Sequence, residues 1–431
     1  MKPAVTSSLT AAVTASWALL LGFGVLMLGD GLQGTLLAVR AFREGFATLT
    51  TGFVMSAFYA GFLGGSLLAP KIVTRVGHVR VFAALAAVAS AAILVHAVFV
   101  SPTAWVLLRL ISGFCFAGLY IVAESWLNDR ASNETRGQVL SLYMVITYLA
   151  IGISQLFLTL SDPVGYPLFV LTSILISVAV VPLLLSASPS PRFEESHTVS
   201  LVELYRISPL GVVGMFGIGM AMAALFALGP VYAGRIGLTT AQISYFMAAP
   251  VLTTVLFQWP IGHLSDQRDR RHVLIVVTFL AALSAAVCAF ATQWSAVGLT
   301  IAFGLLGGFS LPVYALCIAH TNDHLAPEQM VAASGGLVLA GGIGAVLGPL
   351  TVSFIMDLWN DSGFFWMLAT THAAIGGYGV YRMFKRRSPS LEQQGHHAPA
   401  VFRPSARAVE TIQEHLRDDF PEPERDPKTP S

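Results

Sequence analysis

Residues 105–129 read WVLLRLISGFCFAGLYIVAESWLND, and this stretch decides the fold. A helix needs roughly 20 apolar residues to cross a bilayer, and the stretch supplies them. Yet Arg109 lies inside one end of it and Glu124 inside the other. A charge at that depth is expensive in lipid, so it faces a protein interior or a wet cavity. At about 100° per residue, Ser112, Gly113, Phe116, Tyr120 and Glu124 share a face with Arg109, forming a polar, small and aromatic stripe. The two charges stand about 22 Å apart along the axis, too far to pair with each other. Each needs a partner on another helix, and the stripe predicts a solute path through a helical bundle.

The rest of the chain has the same character. Of 431 residues, 55% are hydrophobic and 11% charged, against about a quarter charged in an ordinary soluble domain. The main partner is therefore a lipid bilayer. A net charge of +1 lacks the basic footprint of a nucleic-acid binder. Cys115, Cys288 and Cys317 sit singly in apolar runs and form neither a disulfide framework nor a metal cluster. There is no Walker A loop and no nucleophile, metal or cofactor constellation, so the expectation is no enzyme and no cofactor. The first apolar run is too long for a cleaved signal peptide and contains Asp30, so it reads as a retained first helix.

Spanning stretches fall at 14–38, 50–70, 79–100, 103–127, 138–159, 166–187, 209–233, 240–261, 273–292, 296–319, 332–356 and 364–384. The expected fold is therefore an all-α membrane protein with twelve transmembrane helices in two six-helix bundles. Trp17, Trp105, Trp126, Trp259, Trp294, Trp359 and Trp366 lie near the ends of these stretches, where amphipathic rings favour the membrane interface. With the termini on one side, every Lys and Arg falls on that side except Arg40, Arg43, Arg235 and the membrane-embedded Arg109. Positive-inside bias then places both termini in the cytoplasm of a multi-pass inner-membrane protein. The Pro/Ser and charge-rich segment 188–208 reads as a cytoplasmic linker between an N-terminal bundle at 1–187 and a C-terminal bundle at 209–384. The tail at 385–431 lacks the composition of a core. Weak echoes cross the linker, with the basic loop at 75–80 matching 268–271 and Asn128-Asp129 matching Asn322-Asp323, as in a six-plus-six duplication. Pro230, Pro250, Pro312 and Pro349 should each bend a helix.

The loop Gly262-His-Leu-Ser-Asp266-Gln-Arg-Asp-Arg270-Arg271 resembles the signature loop of the major facilitator superfamily: a Gly, an acid four residues on, and a basic pair after a tight turn. Asp269 stands where Gly is usual. In the first half Pro70 and Thr74 replace the Gly and the acid, while Gly77 and Arg80 fit. Arg109-Leu-Ile-Ser-Gly113 resembles the family's helix-4 Arg motif, associated with proton-coupled members. The helix-5 Gly-Pro motif of drug/proton antiporters is missing from 138–159, although Gly344, Gly348 and Pro349 place a similar one in helix 11. Glu124-Ser125, Arg136-Gly137, Tyr143-Met144, Gln155 and Gln258-Trp-Pro-Ile-Gly262 are similar to the YcaD-like bacterial branch. The resemblance implies a secondary transporter that moves a small solute by alternating access, as a monomer and with protons as the coupling ion. A transport-inactive sensor of the same fold and a proton-driven drug efflux pump stand as alternatives.

Asp30 and Arg109 lie at similar depths below the same membrane face, and helices 1 and 4 line the central cavity in the resembled fold. They are expected to face one another, with Asp30 exchanging its Arg partner for a proton or a solute, or else forming a static pair. Gln33, Tyr120, Tyr148, Gln155 and Tyr314 are cavity candidates, each weighed against a plain helix-to-helix hydrogen bond. Glu124 either clamps Arg136 or serves as a second proton site. Gly262, Asp266, Arg270 and Arg271 are read as a cytoplasmic gate.

Overall fold

Short loops set the topology. A computed structural model describes residues 6–130, 136–185, 200–291, 295–325 and 327–385, nearly all of them helical. The first half holds α1 (Thr6–Arg43), α2 (Thr48–Val76), α3 (His78–Val98), α4 (Pro102–Arg130), α5 (Arg136–Leu156), α6 (Pro167–Val178) and the short α7 (Val181–Leu185). After α8 (Leu201–Ile207), the second half holds α9 (Pro209–Arg235), α10 (Thr240–Gln267), α11 (Arg270–Phe290), α12 (Ala296–Ser310), α13 (Pro312–Asn322), α14 (Pro327–Leu358) and α15 (Gly363–Lys385). Breaks as brief as 44–47, 77 and 268–269 leave no room for a crossover, so consecutive spans run antiparallel.

Among the described residues, eleven spans are long and apolar enough to cross a bilayer. The twelfth expected span is helix α15, which falls outside that set because Thr370, Thr371 and His372 interrupt its apolar run. The expected sixth span is α6 followed by α7. The tenth is divided into α12 and α13 at Leu311–Pro312, where proline removes a backbone donor and clashes with the preceding turn. Pro230, Pro250 and Pro349 are carried inside α9, α10 and α14. Part of the expected linker is ordered: Ser200 caps α8 by accepting from the Glu203 N–H at 3.2 Å, and Leu204 is buried. The rest of the linker, residues 188–199, lies outside the described residues, as do Trp294 and almost all of the tail. Two of the expected interface tryptophans are core residues instead. Trp105 is fully buried and donates to the Phe99 carbonyl at 2.9 Å, while Trp126 is buried with its ring tilted against that of His78.

Lipid offers helices no hydrophobic reason to associate, so close backbone approach must hold the bundles together. Gly61 of α2 faces the Leu110 carbonyl of α4, and Gly113 of α4 faces the Phe58 carbonyl of α2; a Cβ at either would overlap its neighbour. The second bundle repeats the device, with Gly307 of α12 against the Pro250 backbone of α10 and Gly344 of α14 against the Phe216 carbonyl of α9. The two bundles meet where α2 lies on α14, α5 on α10 and α1 on α9.

Candidate functional site

Where α1, α2, α4 and α5 face α9, α10 and the α12–α13 break, they leave a cavity. Asp30 and Arg109 both border it, although they are only 5% and 3% exposed. The Arg109 guanidinium lies 4.2 Å from the centre of the Phe58 ring, a cation–π contact well suited to a desolvated site. Tyr120 donates its hydroxyl toward Met27 sulfur at 2.9 Å and makes a long 3.5 Å contact with Asp30 Oδ2. The α4 stripe is divided in space. Arg109 and Tyr120 reach the cavity, whereas Gly113 and Phe116 pack on α2, and Ser112 turns back to the Leu108 carbonyl.

Tyr148 and Gln155 of α5 also border the cavity. Gln155 accepts from Thr35 Oγ1 at 2.5 Å and donates to the Gly31 carbonyl at 3.2 Å, so it ties α5 to α1 at the cavity's edge. Its backbone carbonyl accepts from Ser244 of α10 at 2.6 Å, a bond between the bundles. Two expected cavity residues stand elsewhere. Gln33 is buried within α1 away from the cavity, its amide without a hydrogen-bond partner among the described residues. Tyr314 lines a separate hollow between α2 and α14, which shares Tyr59 with the central cavity.

Tyr148 has a second neighbour. It also lines a cleft between α5 and α10, which runs past Gln258, Trp259, Gly262 and His263 to Asp266. At that end Arg270, 1% exposed, reaches Asp323 at 2.6 Å, Asp266 at 3.1 Å, Ser265 at 3.0 Å and the Ala319 carbonyl at 3.2 Å. These contacts bind α10, α11 and α13 into one cluster. Asp269, in the place usually held by Gly, caps α11 by accepting from the Arg271 N–H at 3.0 Å and sits 3.6 Å from the Arg271 guanidinium. Glu124 accepts from the Tyr143 hydroxyl at 2.8 Å, which joins α4 to α5. The side chain of Arg136, its expected partner, lies outside the described residues.

At the opposite end a second cluster crosses between the bundles. Arg235, closing α9, meets Asp361 at 2.5 Å and Asp357 at 3.4 Å, and donates to Thr48 Oγ1 of α2 at 2.6 Å. Asp357 also accepts from the Leu49 N–H at 3.1 Å, placing a carboxylate on the first turn of α2, where unpaired amides favour negative charge. Below it, the Ser56 hydroxyl donates to the Val346 carbonyl, and Gly52 is packed against Ser353. No motif in the sequence marks this cluster. Its signal was an Arg at one helix end and two acids at the end of another that shares its membrane face.

Two helical bundles around a buried, charged cavity, with a cleft that shares Tyr148 running toward one end, are the architecture of a multi-pass membrane transporter of small solutes. The chain belongs to the Major Facilitator Superfamily, whose family model matches residues 19–249 and 212–417. It is therefore a transporter by family and not an enzyme. Among its relatives, the uncharacterized MFS-type transporter YcaD of Escherichia fergusonii is 27% identical over 354 residues, covering 82% of this chain and 91% of that protein. YcaD of Salmonella newport is 28% identical over 356 residues, covering 82% of this chain and 91% of its own. A mutant form of the nucleoside transporter NupG shares the fold with a TM-score of 0.74 at 13% identity, covering 85% of this chain and 99% of that one. A mutant form of the E. coli fucose:proton symporter FucP has a TM-score of 0.56 at 16% identity, covering 86% of this chain and 99% of that one.

Proposed function

We propose that this chain is a proton-coupled secondary transporter of the bacterial inner membrane, with its termini in the cytoplasm, which carries a small solute by alternating access between bundles at 1–187 and 209–384. The observation that supports this most is the asymmetry of the cavity's two exits. Toward the Arg235 end the bundles are joined by the Arg235, Asp357 and Thr48 contacts, while toward the Arg270 end Tyr148 leads from the cavity into the α5–α10 cleft. With the positive-inside orientation, this is a carrier closed to the outside and facing the cytoplasm.

Asp30 is the proposed coupling residue. A carboxylate held in the membrane interior must be paired or neutralised, so it alternates between Arg109, a proton and the solute. The charged and titratable groups that border the same cavity are Arg109 and Tyr120 from α4, Tyr59 from α2 and Tyr148 from α5. Asp266, Arg270 and Arg271 act at the cytoplasmic end by keeping α10, α11 and α13 together as one moving body.

The test is counterflow of radiolabelled amino acids, sugars, organic acids and nucleosides in proteoliposomes loaded with a pH-sensitive dye. The wild type should exchange at least one of these solutes with a linked pH change, and Asp30→Asn should abolish the link. An Asp30→Asn variant with wild-type rate and pH dependence would remove Asp30 from the mechanism. Binding of a solute without any flux would make the protein a sensor.

A further inference from the structure

The central cavity is chemically two-sided. From the first bundle it receives every polar and charged group of the lining, Asp30 and Arg109 among them, together with the apolar Met55 and Ile151. From the second bundle the described lining is Phe226, Ala227, Val251 and Leu311, a hydrocarbon wall. The geometry points to an amphipathic zwitterion as the solute, a molecule with an ammonium and a carboxylate at one end and an apolar arm at the other, the chemistry of an aliphatic α-amino acid. This inference rests on the transport reading above and specifies its cargo.

The lining holds one carboxylate and one guanidinium, so a solute of zero net charge enters the membrane interior without leaving a charge uncompensated. A solute with one sign alone would leave either Asp30 or Arg109 unmatched once their mutual environment is disturbed. A zwitterion offers its carboxylate to Arg109, whose planar fork suits that group, and its ammonium to the Asp30 carboxylate. A polyol also has zero net charge, but its hydroxyls point in every direction, and those against Phe226, Val251 and Leu311 would be buried without partners. An apolar arm fits that wall and gains from leaving water.

Calorimetric titration of the full chain in lipid nanodiscs distinguishes these solutes when L-leucine is compared with three probes. Isocaproate lacks only the amine of leucine, isoamylamine lacks only its carboxylate, and mannitol is a neutral polyol. Leucine should bind, and each of the others should bind at least about 10-fold more weakly, because a site built for a polar group rejects the analogue that lacks it. Val251→Thr, which keeps the side chain's shape, should weaken leucine about fivefold and leave the discrimination against isocaproate and isoamylamine intact. Isocaproate, isoamylamine or mannitol binding as tightly as leucine would overturn the assignment, and so would the absence of leucine binding. Counterflow with the same four solutes separates this failure from failure of the transport reading. Exchange of mannitol without leucine leaves a carrier with a different cargo, whereas leucine binding with no exchange of any solute leaves the site and removes the carrier.

Discussion

At the scale of single residues, Arg270 is a firmly anchored charge. Its guanidinium is buried between Asp266 and Asp323, and Asp323 is itself 3% exposed. Removing one member of such a pair strands the other charge away from water, which costs about 3–5 kcal/mol. Arg270→Ala should therefore lower the thermal midpoint in detergent by far more than Arg271→Ala, and equal midpoints would contradict this account. Asp269 makes a smaller prediction. Asp269→Ala removes the cap of α11 and should cost about 1 kcal/mol, while Asp269→Gly, which restores the usual family residue, should cost only a few tenths; equal losses in the two melts would mean that the cap contributes nothing. The motif made Arg270 legible, because an acid and a basic pair at fixed spacing stand out in any sequence. Asp323 was not legible as its partner, since it lies 53 residues downstream and only the fold brings the two together.

At the scale of elements, apolar length and proline were readable and lateral neighbours were not. The run at 105–129 showed its two charges and its periodicity plainly. Periodicity cannot say, however, which part of a helical face meets a cavity and which part meets another helix. Gly113 and Phe116 share a stripe with Arg109 yet pack on α2, because the glycines at 61 and 113 draw those backbones together. The same limit hid the hydrocarbon side of the cavity: Phe226, Ala227, Val251 and Leu311 look like any other apolar residues of a span. The close approach of α2 and α4 can be tested. Gly113→Leu would push a branched side chain into the Phe58 carbonyl and should destabilise the protein by about 3 kcal/mol, whereas Gly34→Ala, which meets open space, should be nearly neutral. Denaturation curves in which both variants melt with the wild type would mean that the α2–α4 contact does not hold the first bundle together.

At the scale of the whole molecule, the proposed cycle requires the two bundles to exchange one closed end for the other. A carrier that rocks must hold each closed state by contacts weak enough to be broken in every cycle, and half-exposed ion pairs meet that condition at about 0–1 kcal/mol each. Arg235 is 29% exposed and serves Asp357, Asp361 and Thr48 together, so it concentrates several such contacts in one side chain. Arg235→Gln should therefore shift the balance toward the state open at that end by about 1–2 kcal/mol, a change of roughly 5–30-fold in the ratio of populations. Spin labels on Arg43→Cys and Ala241→Cys, exposed positions on α1 and α10 at that end, would report the separation of the bundles, and the native Cys115, Cys288 and Cys317 are buried away from the reagent. Arg235→Gln should add or enlarge a long-distance population. Asp266→Asn, which acts at the other end and within one bundle, should leave that distribution unchanged. Identical distributions in the wild type and Arg235→Gln would mean that the closed end is held by the Gly52–Ser353 and Ser56–Val346 packing of α2 on α14, and that the charges at its rim follow the motion without controlling it.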